Sequence, residues 1–428
     1  MLLSMMLAAC APSSAVLHPL DIPATPPTHI PDEATATGCD TLWSSERAFI
    51  AQDTTTLEER EACEAVVHPI AGARGATIQV TLTAWGGLAP AQLQITDLLG
   101  APLASGSALA SGDTLSVTLD RSGEFFVALA PSDLSELASD YALSVSCLAG
   151  CDLSYSRYPL VLLHGLGGTD AYLDLISYFY GVESALSESG YAVSTPTVDP
   201  FQATAERAEQ WAEHLDRLVA EGAGRRFNLI GHSQGGLDAR YLAAHLDPEA
   251  RVASIVTIGT PHRGTPVADA AVGLLDISWL GAVTAELLVD SLGLLLGAGS
   301  DQELIDQLRD LSTGSQADFN ASVPDRGDVY YASWAGRTCG LLDLYCIAET
   351  GGEVVDPLLV APLLLLSVVS GDSDGIVPVS SAQWGDYRGE VSADHIDQVG
   401  HLLGSTAASF DHIAFYREEA VRLAAQGY

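Results

Sequence analysis

The chain of 428 residues contains no lysine, and all 18 of its basic residues are arginines, against 55 acidic residues. Its formal net charge is therefore −37. Nucleic-acid binding draws its affinity from basic patches that meet phosphates, so this composition argues against a nucleic-acid-binding protein. The same charge disfavours electrostatic adsorption on anionic membrane surfaces.

The N-terminus lacks both the length of a membrane span and the basic region of a complete signal peptide. Residues Met1 to Cys10 are apolar, but a span takes about 20 residues. Their end, Leu7-Ala8-Ala9-Cys10, resembles that of a bacterial lipoprotein signal, in which the cysteine is lipidated after cleavage. We expect a lipid anchor at Cys10, with a plain secretory signal as the alternative. The protein is expected to be exported, and either anchored at the cell envelope, where Ala11 after the cysteine favours the outer membrane, or extracellular.

Cysteines are few, and an even number remains once Cys10 is set aside. An even set in an exported protein suggests three disulfides, whose pairing the sequence does not settle. Cys339 and Cys346 are close enough in sequence to form a local loop. A metal site is the weaker interpretation, because the two-residue spacings of zinc sites are missing. The six cysteines are Cys39, Cys63, Cys147, Cys151, Cys339 and Cys346.

The first part of the chain after Cys10 changes character twice. Residues 11–37 hold six prolines among small residues, which predicts an extended linker. Residues 38–151 contain short runs with apolar residues at every second position, separated by glycine and aspartate. These runs are Thr77–Thr83, Gln92–Ile95, Thr114–Leu119 and Tyr141–Val145. This pattern predicts a small β-sandwich. It resembles, weakly, bacterial jelly-roll domains of the pre-peptidase C-terminal type, and we expect a spacer, adhesion or stability role.

Residues 152–428 alternate between strand and helix patterns, which predicts an α/β-hydrolase fold with a mostly parallel sheet covered on both faces. Leu358–Val369 is strongly apolar but is split by Pro362, and we expect a short helix that leads into a buried strand. The other predicted strands are Tyr158–Leu163, Ala192–Val198, Phe227–Ile230, Val252–Ile258 and Val329–Ser333, and the predicted helices are Ala171–Ser189, Ala203–Glu221, Leu237–His245 and Ser405–Gln426.

The most informative motif is Gly231-His232-Ser233-Gln234-Gly235-Gly236. It follows an apolar strand pattern and precedes a helical one. A Gly-x-Ser-x-Gly elbow between strand and helix needs glycines because the turn is strained and its backbone segments touch. We therefore expect Ser233 to be a nucleophile exposed at the end of the sheet.

A serine hydroxyl needs a base to take its proton and an acid to orient that base. In the α/β-hydrolase fold the acid follows the serine and the histidine comes last. Asp374 is the preferred acid, because Gly375 makes the turn and the apolar Ile376-Val377 anchors it; Asp372 is the alternative.

His395 is the preferred base, 21 residues after Asp374. His401 and His412 are the competing histidines.

Two backbone N–H groups should stabilise the oxyanion of the tetrahedral intermediate. One should belong to Gln234, directly after the nucleophile. The other should come from the glycine-rich loop 164–168, where we assign it to Leu166. This loop lacks the Gly-Lys-Ser/Thr ending of a phosphate-binding P-loop. His164 is expected to hold the loop rather than to transfer protons.

Three segments in series, residues 158–168, 228–242 and 257–264, resemble the Pseudomonas/Burkholderia-type triacylglycerol lipase family. The resemblance covers residues 155–426 in the family's order and at about its usual domain length. It implies a carboxylic ester hydrolase that acts on acylglycerols through Ser233, Asp374 and His395. The β-rich N-terminal domain is not part of the family pattern, and the family's members are secreted rather than anchored.

The resemblance also implies a structural Ca²⁺ ion near the catalytic histidine. Asp356, which precedes a proline, and Asp397, two residues after His395, match the family's two aspartates. The family's two carbonyl ligands fall on His401 and Ser405. Oxygen-only ligation suits Ca²⁺. The alternative is two surface aspartates in a very acidic chain. The family disulfide near the acid is missing, because Val379 stands where its cysteine is expected.

A mobile helical lid is expected over about residues 265–300, where the family places one after the Thr260-Pro261-His262 segment. Such a lid covers the site in water and opens on a lipid surface. The alternative is an ordinary pair of core helices. The resemblance further implies a lipase-specific folding chaperone as a partner. Other functions compatible with the same residues are a serine acyltransferase, a polyester depolymerase, or a non-catalytic anchored scaffold.

Overall fold

The computed structural model shows two units, a β-sandwich followed by an α/β unit. The expected lipid anchor at Cys10, the linker over residues 11–37, Cys39 and Cys63 lie outside the described residues. The described residues are 49–50, 55–59, 66–86, 90–131, 141–151, 155–167, 177–281, 283–296, 301–401, 403–407 and 410–428.

The N-terminal unit consists of two sheets with the strand orders β1-β3-β8-β5-β6 and β2-β9-β4-β7. All pairings are antiparallel except that between β1 and β3. The strands are β1 (Phe49–Ile50), β2 (Thr55–Glu59), β3 (Val66–Gly72), β4 (Thr77–Trp85), β5 (Ala91–Thr96), β6 (Pro102–Leu109), β7 (Thr114–Thr118), β8 (Gly123–Pro131) and β9 (Tyr141–Ala149).

Both sheets contribute to one hydrophobic core, which makes the unit a sandwich. On β4 the alternate residues Ile78, Val80 and Leu82 point inward and are buried. They meet Phe125 and Val127 of β8 in the opposite sheet. Period-2 alternation of this kind predicted β4, β5, β7 and β9 from sequence. The pattern did not predict β1, β2, β3, β6 or β8.

The second unit is built on a six-stranded sheet with the order β11-β10-β12-β13-β14-β15, in which every neighbouring pair is parallel. The carboxyl ends of the strands therefore share one edge, which is where α/β sheets bind their ligands. Its strands are β10 (Leu160–Leu163), β11 (Val193–Ser194), β12 (Phe227–His232), β13 (Val252–Ile258), β14 (Tyr330–Gly336) and β15 (Asp386–Val391).

Helices cover both faces of this sheet, as the hydrolase fold requires. Two cores lie on opposite sides: Leu160 and Ile230 meet Tyr416 on one face, and Val161 and Leu229 meet Trp211 on the other. The helices are α1 (Val182–Glu188), α2 (Thr204–Ala220), α3 (Gln234–Tyr241), α4 (Pro266–Ala271), α5 (Ala285–Leu296), α6 (Asp301–Asp310), α7 (Thr313–Ser322), α8 (Leu344–Glu349), α9 (Val360–Val369), α10 (Val379–Ala382) and α11 (His412–Ala425).

The structure corrects three sequence-based expectations. The strand expected at the end of Leu358–Val369 is wrong: α9 runs through Pro362, which lies in the first helical turn, where proline is tolerated. The helix expected over Ala171–Ser189 is wrong for residues 177–181, which are not helical; α1 covers Val182–Glu188, and residues 171–176 lie outside the described part. Of the predicted strand Ala192–Val198, only Val193–Ser194 forms a strand, β11. No helix within the described residues combines the length and apolarity needed to cross a membrane.

Two disulfides lie within the described residues. Cys339 pairs with Cys346, as the sequence suggested, and Cys147 pairs with Cys151. The first closes a loop between β14 and α8, at the carboxyl edge of the parallel sheet.

Candidate active site

Ser233 lies in a sharp turn between β12 and α3. Its φ of 55° and ψ of −128° fall outside the regions that L-residues favour, a strain that costs about 1–3 kcal/mol and clusters at functional sites. Side chains at the flanking glycines have no room. A Cβ on Gly231 would come within 2.6 Å of the Gly236 backbone, and one on Gly235 would overlap the Leu163 carbonyl oxygen. The predicted elbow is therefore present.

Ser233, His395 and Asp374 form a continuous hydrogen-bonded series. His395 Nε2 lies 3.0 Å from Ser233 Oγ, and His395 Nδ1 lies 2.7 Å from Asp374 Oδ2. All three residues are buried, so the expectation that Ser233 would be exposed is wrong. These distances are those of a base in hydrogen-bond reach of a nucleophile and oriented by an acid.

The Asp374 carboxylate receives several hydrogen bonds besides that of His395. The backbone N–H groups of Ile376 and Val377 donate to Oδ1, at 2.9 and 2.7 Å. The turn 374–377 thus fixes one carboxylate oxygen and leaves Oδ2 facing the imidazole.

The competing residues are placed elsewhere. Asp372 is exposed and lies 3.5 Å from Arg337. The His412 ring is held 2.8 Å from the Tyr180 carbonyl oxygen. His401 packs its ring against Tyr178. None of these three side chains makes the bond to Ser233 that His395 makes.

The glycine-rich loop after β10 lies against the elbow. A Cβ on Gly165 would come within 2.7 Å of Ser233 Cβ, so the loop's approach depends on this glycine. Leu166 and Gly167 line a small cleft whose other wall includes His395. Gln234 begins α3, and the first N–H groups of a helix have no intrahelical acceptor. The structure thus brings both predicted oxyanion donors to the end of the sheet that carries Ser233.

His164 and a buried ion pair hold this loop in place. His164 Nδ1 lies 2.9 Å from the Gly165 carbonyl oxygen, and its Nε2 accepts the Val198 N–H. Burial lowers the pKa of His164 to about 3, so the ring stays neutral. Arg207 donates to the His164 carbonyl and pairs with Asp238 at 2.8 Å, both side chains being fully buried. The sequence offered no signal for this pair.

Gln398 is a further buried side chain that the sequence did not single out. Its Nε2 donates to Asp374 Oδ2 at 2.9 Å, so this oxygen serves both Gln398 and His395. The amide lies in a space left by Gly259 and Gly336, at the ends of β13 and β14, and a Cβ on either would overlap it. Gln398 therefore fixes the second carboxylate oxygen of Asp374.

His232 connects the elbow to this arrangement. Its ring lies 4.6 Å from that of His395 between centroids, and its Nδ1 lies 2.7 Å from the Tyr178 hydroxyl. Tyr178 also lies against the glycine-rich loop, because a Cβ on Gly165 would come within 2.7 Å of its hydroxyl oxygen. Burial, followed by the proximity of His395, lowers the pKa of His232, and the Gln398 amide opposes that shift. The elbow, the acid turn and the oxyanion loop thus share one buried polar network.

An acidic cluster lies behind His395. The carboxylates of Glu353, Asp394 and Asp397 have oxygens within 4.8 Å of one another, and the charge of Asp356 acts on Asp397. Glu353 is buried, and its Oε2 has no hydrogen-bond partner among the described residues.

Burial and like charge raise the pKa of Asp394 to about 7 and that of Glu353 to about 8. Carboxylates crowded together without an arginine call for a cation, and an all-oxygen donor set suits Ca²⁺. The residues thus fit the implied ion. Of the expected ligands, Asp397 belongs to the cluster, and the Asp356 N–H donates to Asp394 Oδ2 at 2.8 Å, which places Asp356 beside it. The Ala407 N–H donates to Asp397, which brings the segment that contains Ser405 close.

Comparisons with known proteins show the family to which the chain belongs. Residues 159–288 match the family described as palmitoyl protein thioesterase. A triacylglycerol lipase of Burkholderia plantarii is 31% identical over 67% of this chain and 91% of its own length. The chain belongs to the bacterial triacylglycerol lipase family. A triacylglycerol lipase of Pseudarthrobacter phenanthrenivorans is 31% identical over 64% of this chain and 98% of its own.

The lipase-family protein is thus a carboxylic ester hydrolase. Among solved structures, lipase 1 from Pelosinus fermentans shares 21% identity and a TM-score of 0.46, over 63% of this chain and 99% of that one.

Helices occupy the position of the expected lid in this lipase-family chain. Along the chain, β13 is followed by α4, the 3₁₀ turn Ser278–Leu280 and α5, and α6 comes next. Val267, Leu288 and Leu292 are buried in a core that they share with Leu166. Trp279 and Leu294 are exposed. The segment thus has one face packed on Leu166 of the glycine-rich loop and another open to solvent.

Proposed function

We propose that the protein is a triacylglycerol lipase that uses Ser233, His395 and Asp374 as a catalytic triad. The observation that carries the proposal is the hydrogen-bonded series from Ser233 Oγ through His395 to Asp374 Oδ2, with both distances at or below 3.0 Å. Two relatives named triacylglycerol lipase, each 31% identical to this chain over 67% and 64% of its length, support the same activity.

In the proposed reaction, Ser233 Oγ attacks the ester carbonyl carbon while His395 Nε2 accepts the hydroxyl proton. Asp374 orients the ring and stabilises the imidazolium that forms. The N–H groups of Leu166 and Gln234 stabilise the oxyanion. His395 then gives its proton to the leaving alcohol, and an acyl-enzyme remains on Ser233. Water, deprotonated by His395, releases the fatty acid and restores the serine.

A structural Ca²⁺ ion is part of the proposal. Asp356 and Asp397, with the carbonyl groups of His401 and Ser405, would hold it, and the buried, unpartnered Glu353 oxygen favours a cation there. The ion would neutralise the cluster and tie the segment after His395 to the segment before α9. It would supply no chemistry to the ester.

The lid is proposed on similar grounds. The exposed Trp279 and Leu294 and the packing of α5 near Leu166 support a segment that opens at a lipid surface. A lipid anchor at Cys10, a location at the cell envelope and a folding chaperone remain proposals from the sequence.

The test is hydrolysis of p-nitrophenyl esters from short to long acyl chains by the wild type and by Ser233→Ala, each with and without EDTA. We expect long-chain activity that Ser233→Ala abolishes while circular dichroism stays unchanged. EDTA should lower the thermal midpoint as well as the activity, because the ion is structural. Wild-type turnover in Ser233→Ala would overturn the triad, and a thermal midpoint indifferent to EDTA would remove the ion.

A further inference from the structure

The disulfide loop, residues 339–346, presents a group of apolar side chains to solvent. Single exposed apolar residues are common on monomers, but several large ones side by side mark an interaction site. The exposed fractions are 68%, 94%, 76% and 74% for Leu341, Leu342, Leu344 and Tyr345.

The base of the loop is firmly held, so this exposure does not come from a frayed segment. Both cysteines are buried. The Asp343 carboxylate accepts the Cys346 N–H at 3.0 Å and so caps α8. The Val355 N–H donates to the Cys339 carbonyl at 3.0 Å. The disulfide and these bonds display the leucines in a fixed conformation.

The loop lies at the edge of the sheet that carries the active site. It follows β14, and the Thr338 N–H donates to the carbonyl of Ser373, the residue before Asp374. Trp279 is exposed in the segment that follows β13. A surface that delivers an ester to Ser233 approaches from the carboxyl ends of these strands, where the loop stands.

We propose that the disulfide loop docks the enzyme on the surface of an uncharged lipid aggregate, with Leu341, Leu342 and Leu344 entering the lipid and Tyr345 at its boundary. This proposal rests on the proposed function, because acylglycerols are insoluble and present such a surface. Tyrosine suits the boundary because its ring is apolar and its hydroxyl polar.

The negative charge of the chain and its disulfide loop favours a neutral lipid surface over an anionic one. Residues 338–350 contain two acidic residues and no basic one, in a chain of net charge −37. Anionic headgroups would repel such a loop, since adsorption on them depends on lysine and arginine. A neutral ester surface has no charge to oppose the acidic chain, and leucine burial alone drives the docking.

Binding is measured with the full chain carrying Ser233→Ala, so that the lipid is not consumed. Flotation with a triolein emulsion compares this protein with L341S/L342S/L344S and with a matched control, L99S/L148S/V421S, which changes three aliphatic residues exposed elsewhere. Each buried leucine contributes about tenfold or more to partitioning. We therefore expect the partitioning of the loop variant onto the emulsion to fall at least about a thousandfold, that of the control to change little, and added salt not to weaken binding.

Activity measurements distinguish a disulfide loop that docks on lipid from one that only supports the structure of the active site. With Ser233 present, the loop variant should hydrolyse dissolved p-nitrophenyl butyrate at the wild-type rate and lose activity on triolein. The proposal would be overturned if the loop variant lost activity on both substrates, or if the control variant lost as much triolein binding as the loop variant. It would also be overturned if the Ser233→Ala chain bound anionic vesicles more strongly than neutral ones.

A second copy of the chain is the other possible occupant. A dimer that the loop substitutions dissolve in sedimentation velocity would make that copy the occupant and overturn the lipid proposal. If the wild type hydrolyses no ester, the proposed function fails, while flotation of the Ser233→Ala chain still decides the docking.

Discussion

Replacing Gln398 should slow catalysis without disturbing substrate binding. Its Nε2 donates to Asp374 Oδ2 at 2.9 Å, on the oxygen that His395 shares. Gln398→Met keeps the length of the side chain and removes the donor. A hydrogen bond to a charged group contributes about 1.5–3 kcal/mol. If the orientation of the acid matters in the transition state, kcat falls about 10- to 150-fold.

Gln398→Glu sharpens the test, because it keeps the shape and places a second carboxylate against Asp374. Two carboxylates so close repel unless they share a proton. At pH 8 we expect kcat of Gln398→Glu to fall further below the wild-type value than kcat of Gln398→Met does. As the pH falls, kcat of Gln398→Glu should recover part of this loss relative to the wild type at the same pH. A residue that only fills space would not produce this change in the pH profile.

The assay is steady-state hydrolysis of dissolved p-nitrophenyl butyrate. Gln316→Met is the matched control, because Gln316 is also buried and donates to a carbonyl, that of Asp310. We expect a near-normal KM in both Gln398 variants, since the amide lies behind Asp374. A folded Gln398→Met with kcat within twofold of the wild type would refute the reasoning.

Three further predictions concern stability and the elbow. Burial lowers the pKa of His68 to about 4, so below about pH 6.5 the unfolded chain binds a proton on this imidazole and the folded chain does not. The free energy of unfolding of the wild type should therefore fall by about 2 kcal/mol more than that of His68→Gln between pH 7.5 and pH 5. Urea titrations at the two pH values measure this difference. Arg207→Met leaves the buried Asp238 without its ionic partner and should lower the free energy of unfolding by about 3–5 kcal/mol. The double variant Arg207→Met/Asp238→Leu should recover part of that loss. Equal losses in the single and the double variant would contradict this prediction. Gly235→Ala forces a Cβ against the Leu163 carbonyl and should lower kcat on soluble esters and the thermal midpoint together, at about 1–3 kcal/mol, whereas a neutral result would show that the elbow can relax.

The sequence predicted the parts of the site that local patterns encode. The elbow around Ser233 is a strand, glycine and helix pattern in adjacent residues. The acid turn at Asp374 and the later His395 follow from the chain order of the fold. Gln398, Arg207 and Glu353 could not be predicted, because their roles arise from contacts between segments far apart in sequence. The only local signal for Gln398 is its place three residues after His395, on the same turn.

The fold was predicted where periodicity is clear and missed where it is not. β4 alternates strictly, whereas β6, with Pro102 at its start and alanine, serine and glycine inside, carries no alternation. β15 is polar because it is an edge strand. Leu358–Val369 is apolar at nearly every position, and such a run does not distinguish helix from strand. Pro362 suggested a break but occupies the first turn of α9, where its missing N–H costs little.

The most direct test of the account is to trap the nucleophile. A p-nitrophenyl alkylphosphonate transfers its phosphonyl group to an activated serine and releases p-nitrophenol, leaving a stable adduct. We predict stoichiometric release, complete loss of esterase activity, and mass-spectrometric detection of the adduct on Ser233, with no labelling of Ser233→Ala. Complete inactivation with the adduct on another residue, or inactivation of an esterase-active Ser233→Ala, would contradict the central claim.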